Sequence, residues 1–120
     1  MAQLIKKNFA APDETRPIPH GRVEILNFDD LQPMRTVFEP GWRWSESVKP
    51  IAKTDSCQVL HFTYMISGRM AVRLDDGSVG EFGPGDIGVI PPGHDAWVVG
   101  DEPAVSIDFR GGAIYAKPAA

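Results

Sequence analysis

The chain has 120 residues, 42% of them hydrophobic and 23% charged, a composition that fits one globular domain. Its formal net charge is −4, and Lys6-Lys7 is its only basic pair, so it carries no footprint for nucleic acid. No apolar run approaches the roughly 20 residues of a membrane span. The N-terminus "MAQLIKKNFAAPDETRP" has neither the apolar core nor the cleavage pattern of a signal peptide. Cys57 is the single cysteine, which rules out an intrachain disulfide and fits a cytoplasmic protein.

Residues 1–21 are polar and contain Pro12, Pro17 and Pro19, which predicts an extended arm ahead of a single domain over 22–120. Strands are predicted at 22–28 and 34–40, the second closed by Pro40-Gly41. A long connection (41–55) carries Trp42 and Trp44. "CQVLHFTYMI" (57–66) is rich in β-branched and aromatic residues and reads as a strong strand. Met70, Val72 and Leu74 alternate with Arg69, Ala71 and Arg73, the period of a half-buried strand. "DDG" (75–77) then supplies a hairpin turn. Further strands are predicted at 79–82, 86–90, 96–99 and 104–109, each bounded by Gly, Pro or Asp. Nothing between 22 and 109 has a helical period, so the expected class is an all-β sandwich or barrel, with no helix beyond a turn or two.

"YMISGRMAVRL" followed by "FGPGDIGVIPPGHDAW" resembles the cupin superfamily, whose fold is a β-jelly-roll barrel. Gly68 matches the glycine that closes the family's first motif. Gly85, Pro91 and Gly93 match the glycine and the Pro-x-Gly turn of the second. The resemblance spans roughly residues 36–109. The family's usual three-histidine, one-glutamate metal set is not kept in place. Its glutamate position holds His61, its first two histidine positions hold Asp55 and Cys57, and its third falls on Ala96, two residues after His94.

The residues that could do chemistry follow from that alignment. Asp55, Cys57 and His61 share one parity, so on a continuous strand they would share a face. With His94 they form a candidate metal-ligand set. Thiolate, imidazole and carboxylate suit a divalent transition metal, zinc ahead of iron or manganese. His61 and His94 are also the candidate catalytic residues for metal-free acid/base work, since imidazole titrates near neutral pH. Trp42, Trp44 and Glu46 are candidates for a substrate pocket; the tryptophans equally suit a core, and the glutamate a solvated loop.

Patterning alone would bury Leu60, Phe62, Tyr64 and Ile66 and expose His61. The resemblance implies the reverse, with His61 in the barrel and the apolar face packed on a second copy as a homodimer. Two functions stay open at this point. One is an enzyme acting on a small polar or aromatic molecule as an isomerase, cyclase, lyase or hydrolase. The other is a non-catalytic barrel that binds or senses a small molecule.

Overall fold

The computed structural model describes residues 3–110, 112 and 115–117. Among the described residues nine strands run in chain order: β1 (Glu14–Ile18), β2 (Gly21–Ile25), β3 (Met34–Phe38), β4 (His61–Ser67), β5 (Arg69–Leu74), β6 (Val79–Phe82), β7 (Ile87–Ile90), β8 (His94–Val99) and β9 (Ala104–Asp108). Between β3 and β4 lie two single-turn helices, α1 (Trp44–Ser47) and α2 (Lys49–Ala52). The paired strands are all antiparallel. One sheet has six strands in the order β1-β2-β3-β9-β4-β7, and the other three in the order β6-β5-β8. The class is all-β, as expected, and the two sheets face each other as a jelly-roll barrel.

Three local differences matter for the site. Residues 14–18 belong to the barrel as β1, paired with β2, so the N-terminal arm is shorter than its proline content predicts. Pro17 is tolerated because β1 is an edge strand of its sheet. The strand predicted from Cys57 begins only at His61, and the strand predicted from Ala96 begins at His94. Cys57 instead forms an isolated bridge to His94.

Alternation along the strands builds the interior. Val23 and Ile25 on β2, Met34 and Phe38 on β3, Met65 on β4, Met70 and Val72 on β5, and Ala96 on β8 are buried in one cluster with Trp42 and Trp44. Polar residues also face inward: Thr36, Thr63, Ser106 and Asp108 are all buried. An interior lined on one side by hydroxyls and a carboxylate is not a plain hydrophobic core, since each such group needs a partner to offset its desolvation.

Gly68 and Gly93 hold the turns that position these strands. Gly68 (φ +74°) joins β4 to β5, and a Cβ there would collide with the carbonyl oxygen of Pro103. Gly93 (φ +89°) precedes His94, and a Cβ there would lie 2.7 Å from the Asp75 carboxylate. Gly68 needs the left-handed backbone and the missing side chain together, whereas Gly93 is required chiefly by its left-handed backbone.

Candidate metal centre

The turn Pro91-Pro92-Gly93 delivers His94 to the head of β8 and fastens Cys57 beside it. Cys57 N–H donates to the His94 carbonyl (2.7 Å), and Gly93 N–H donates to the Cys57 carbonyl (2.7 Å). His61 enters at the first position of β4. Cys57, His61 and His94 are all buried, and their ligand atoms lie within 4.8 Å of one another. Cys57 Sγ sits 3.7 Å from His61 Nε2.

Both imidazoles are oriented from behind. His61 Nδ1 bonds the Asp108 carboxylate, and His94 Nδ1 bonds the Pro91 carbonyl at 2.7 Å. Each acceptor has no proton to give, so each Nδ1 is the donor, and Nε2 is left as the nitrogen available for ligation. Asp108 is itself held by the backbone N–H groups of Phe62 (3.2 Å) and Arg110 (2.9 Å). A carboxylate or carbonyl behind each ligating histidine is the usual outer support of a metal site.

The electrostatics agree with this arrangement. Burial pushes the Cys57 thiol up, but hydrogen bonds and charge from His61 and His94 outweigh it and lower its pKa to about 6. Burial pushes His61 down, but Asp108 and the Cys57 thiolate outweigh it and raise its pKa to about 9. At neutral pH the metal-free protein therefore holds a thiolate against an imidazolium, with Asp108 on the far side. A divalent cation fits this donor set: two nitrogens with fixed tautomers and one sulfur that ionises readily converge in a buried place.

A cavity adjoins the cluster. Met34, Phe38, Trp42, Trp44, Met70 and Ile90 form its apolar wall, and His61, His94 and Asp108 its chemical side. Its volume is about 30 Å³. That holds one or two waters. Tyr115 closes it next to His61, ring centroids 5.3 Å apart and edge-on. Thr36 and Ser106 bond each other across β3 and β9 (2.5 Å), and Thr63 Oγ1 donates to the Ile107 carbonyl (3.2 Å).

Of the residues singled out from sequence, Cys57, His61, His94, Trp42 and Trp44 meet here. Asp55 does not: it is exposed, in a separate surface groove with Lys49, Arg73 and Asp95. Its parity argument needed a continuous strand from 55 to 61, and there is none before His61. Glu46 is exposed on α1 and is not part of the cavity wall. Asp108 and Tyr115 were not foreseen. Asp108 carried a faint signal, because it shares parity with Ala104 and Ser106 on a strand where a carboxylate would otherwise face solvent. Tyr115, in the loosely patterned tail, carried none.

No protein-family model matches the sequence, and no curated protein matches it. Solved structures do. A protein of unknown function from Rhizobium leguminosarum bv. viciae 3841 superposes with a TM-score of 0.65 at 18% identity, covering 92% of this chain and 100% of that one. Oxalate decarboxylase from Lactobacillus farciminis, in complex with formate, gives 0.60 at 20% identity over 85% of this chain. A cupin-like protein from Thermotoga maritima gives 0.54 at 21% identity over 77% of this chain and 68% of that one. The fold is that of the cupins. The chain spans about a third of the decarboxylase, with 32% of that protein covered. Its Cys57–His61–His94 cluster stands at one end of the barrel strands, where β4 and β8 begin.

Proposed function

We propose that this cupin is a metal-dependent enzyme that acts on a small polar or aromatic molecule, with zinc held by Cys57, His61 and His94. The observation that carries the reading is the pair of Nδ1 hydrogen bonds, which turns both histidines into Nε2 ligands beside a readily ionised thiol. Three protein ligands leave a fourth position open, the pattern of catalytic rather than structural zinc. A metal bound there would supply Lewis acidity toward a carbonyl or a water. Asp108 fixes the His61 ring and stabilises positive charge on it, while the apolar wall limits water around the reacting molecule. Isomerase, cyclase, lyase and hydrolase chemistry all suit such a site. The deciding experiment is elemental analysis of protein purified without added metal, followed by the same measurement on Cys57→Ser.

One observation favours a second reading. Cys57 Sγ, His61 Nε2, His61 Nδ1 and Asp108 lie in sequence, which also suits metal-free proton transfer by His61. Metal-free protein that retained activity would select it. A protein that binds a ligand without turnover would be the non-catalytic sensor.

We also propose that the chain is a homodimer and, with its single free thiol, cytoplasmic. Among the described residues no helix is long and apolar enough to cross a membrane. On the outer face of the six-stranded sheet, Phe62 pairs with Val89, and Tyr64 with Ile87 and Ile107. The Phe62 and Phe109 rings lie 5.6 Å apart. With Leu60 and Ile66, these side chains are about two-fifths to three-fifths exposed, apart from Ile107, which is half-buried. They form a contiguous apolar patch on that face. Monomers rarely leave a large contiguous apolar patch exposed. The exposed side chains of the patch are uncharged and the Arg35–Glu24 ion pair borders it beside Ile107, so a second copy of itself is its natural cover.

A further inference from the structure

We infer that the indole N–H of Trp42 is a specificity-determining donor, and that the cavity takes a small, flat molecule presenting an oxygen acceptor to it: a carbonyl or a single carboxylate. The inference rests on the proposed metal site and names the substrate class of that same site.

Trp42 is 2% exposed and forms part of the cavity wall. Its Nε1 is buried and has no hydrogen-bond partner among the described residues. A buried N–H left without a partner costs about 1–3 kcal/mol, so native structures rarely keep one without a use. The ring cannot turn to find another acceptor. It stacks on Phe38 with centroids 3.8 Å apart and planes 6° from parallel. Its backbone is fixed on both sides, with N–H donating to the Glu39 carbonyl (3.0 Å) and C=O accepting from Val98 N–H (3.1 Å).

Five other polar side chains of the wall are engaged. Thr36 and Ser106 bond each other, Thr63 bonds the Ile107 carbonyl, His61 bonds Asp108, and His94 bonds Pro91. The Trp42 N–H therefore stands as a fixed, unspent donor in an apolar wall that also holds the metal ligands. A donor there selects for an acceptor on the bound molecule, because a substrate without one leaves the N–H unpaired. Among the described residues no lysine or arginine lines the cavity, so once the Cys57 thiolate and one carboxylate have balanced the zinc charge, no further cation offsets a second carboxylate. A dicarboxylate is therefore disfavoured. Met34 and Met70 in the wall are the side chains best able to shift for a guest larger than water.

The test uses the full chain loaded with zinc, with acetate as the probe. Zinc uptake is measured first by calorimetry. Acetate is then titrated while the three tryptophan indole N–H signals are followed by NMR, and Trp42→Phe assigns the Trp42 signal. The expected result is a saturable downfield shift of that signal. Acetate binding should also weaken about tenfold in Trp42→Phe, the loss of one hydrogen bond to a charged acceptor. Urea unfolding of the variant should stay cooperative, with a lowered midpoint, because the smaller ring gives up part of the buried packing beside Phe38. A signal that stays still, or equal acetate affinity in both proteins, overturns this inference while the metal reading stands. A protein that takes up no zinc overturns both.

Discussion

Asp108 at the end of β9 accepts the Nδ1 proton of His61 at the start of β4, and both groups are buried. The two residues are 47 apart in sequence, and the pairing of β4 with β9 brings them together. The contact fixes the ring, selects its tautomer and turns Nε2 toward Cys57. Asp108→Asn should keep the fold and lower zinc affinity by about 10–100-fold. Competition with a chromophoric chelator checks it; unchanged affinity would detach Asp108 from the site.

Metal binding should release protons in a pH-dependent count. At pH 7.5 Cys57, with a pKa of about 6, is already ionised, and His61, at about 9, still carries its Nε2 proton. Zinc should then displace about one proton, from His61. Below pH 6 the thiol proton is displaced too, and the count rises toward about two. Above pH 9 His61 is already neutral, and the count falls toward zero. Apparent affinity should accordingly rise with pH and level off above 9. Zinc titration in weakly buffered solution with a pH indicator reads the count directly.

His61→Ala should abolish zinc binding and also destabilise the protein. Removing the imidazole leaves Asp108 as a buried carboxylate with only backbone donors. Breaking a buried pair in this way costs about 3–5 kcal/mol, read by urea unfolding of metal-free protein. Asp55→Ala serves as the control, because Asp55 is exposed and outside the cluster, so zinc content and stability should hold.

Tyr64→Arg should convert the dimer to a monomer with little loss of fold stability, because Tyr64 is 40% exposed at the centre of the outer apolar patch. Light scattering at micromolar concentration decides it. A monomeric parent protein would refute the dimer.

Gly68→Ala should destabilise the barrel by about 2 kcal/mol or more, since it adds both left-handed backbone strain and a clash with Pro103. Thermal unfolding should show a lowered Tm with the metal site otherwise intact.

Composition and punctuation were enough to reveal an all-β barrel and nearly every strand. Period-2 alternation and the Gly and Pro turns are local properties, readable without knowing what packs on what. The same local signals marked Gly68 and Gly93, whose backbone needs are written in the residue type. Cys57, His61 and His94 were legible as chemistry-bearing residues, but their meeting was not. Parity tied His61 to Asp55 through a strand that does not exist. The true neighbours come from a turn that bridges Cys57 to His94 and from pairing between β4 and β9. Parity alone would also have sent His61 to solvent, because Leu60, Phe62, Tyr64 and Ile66 form the more apolar face. Only the closure of two sheets decided which face lies inside. Asp108 and Tyr115 reach the site through contacts distant in sequence, and local periodicity holds no information about such contacts.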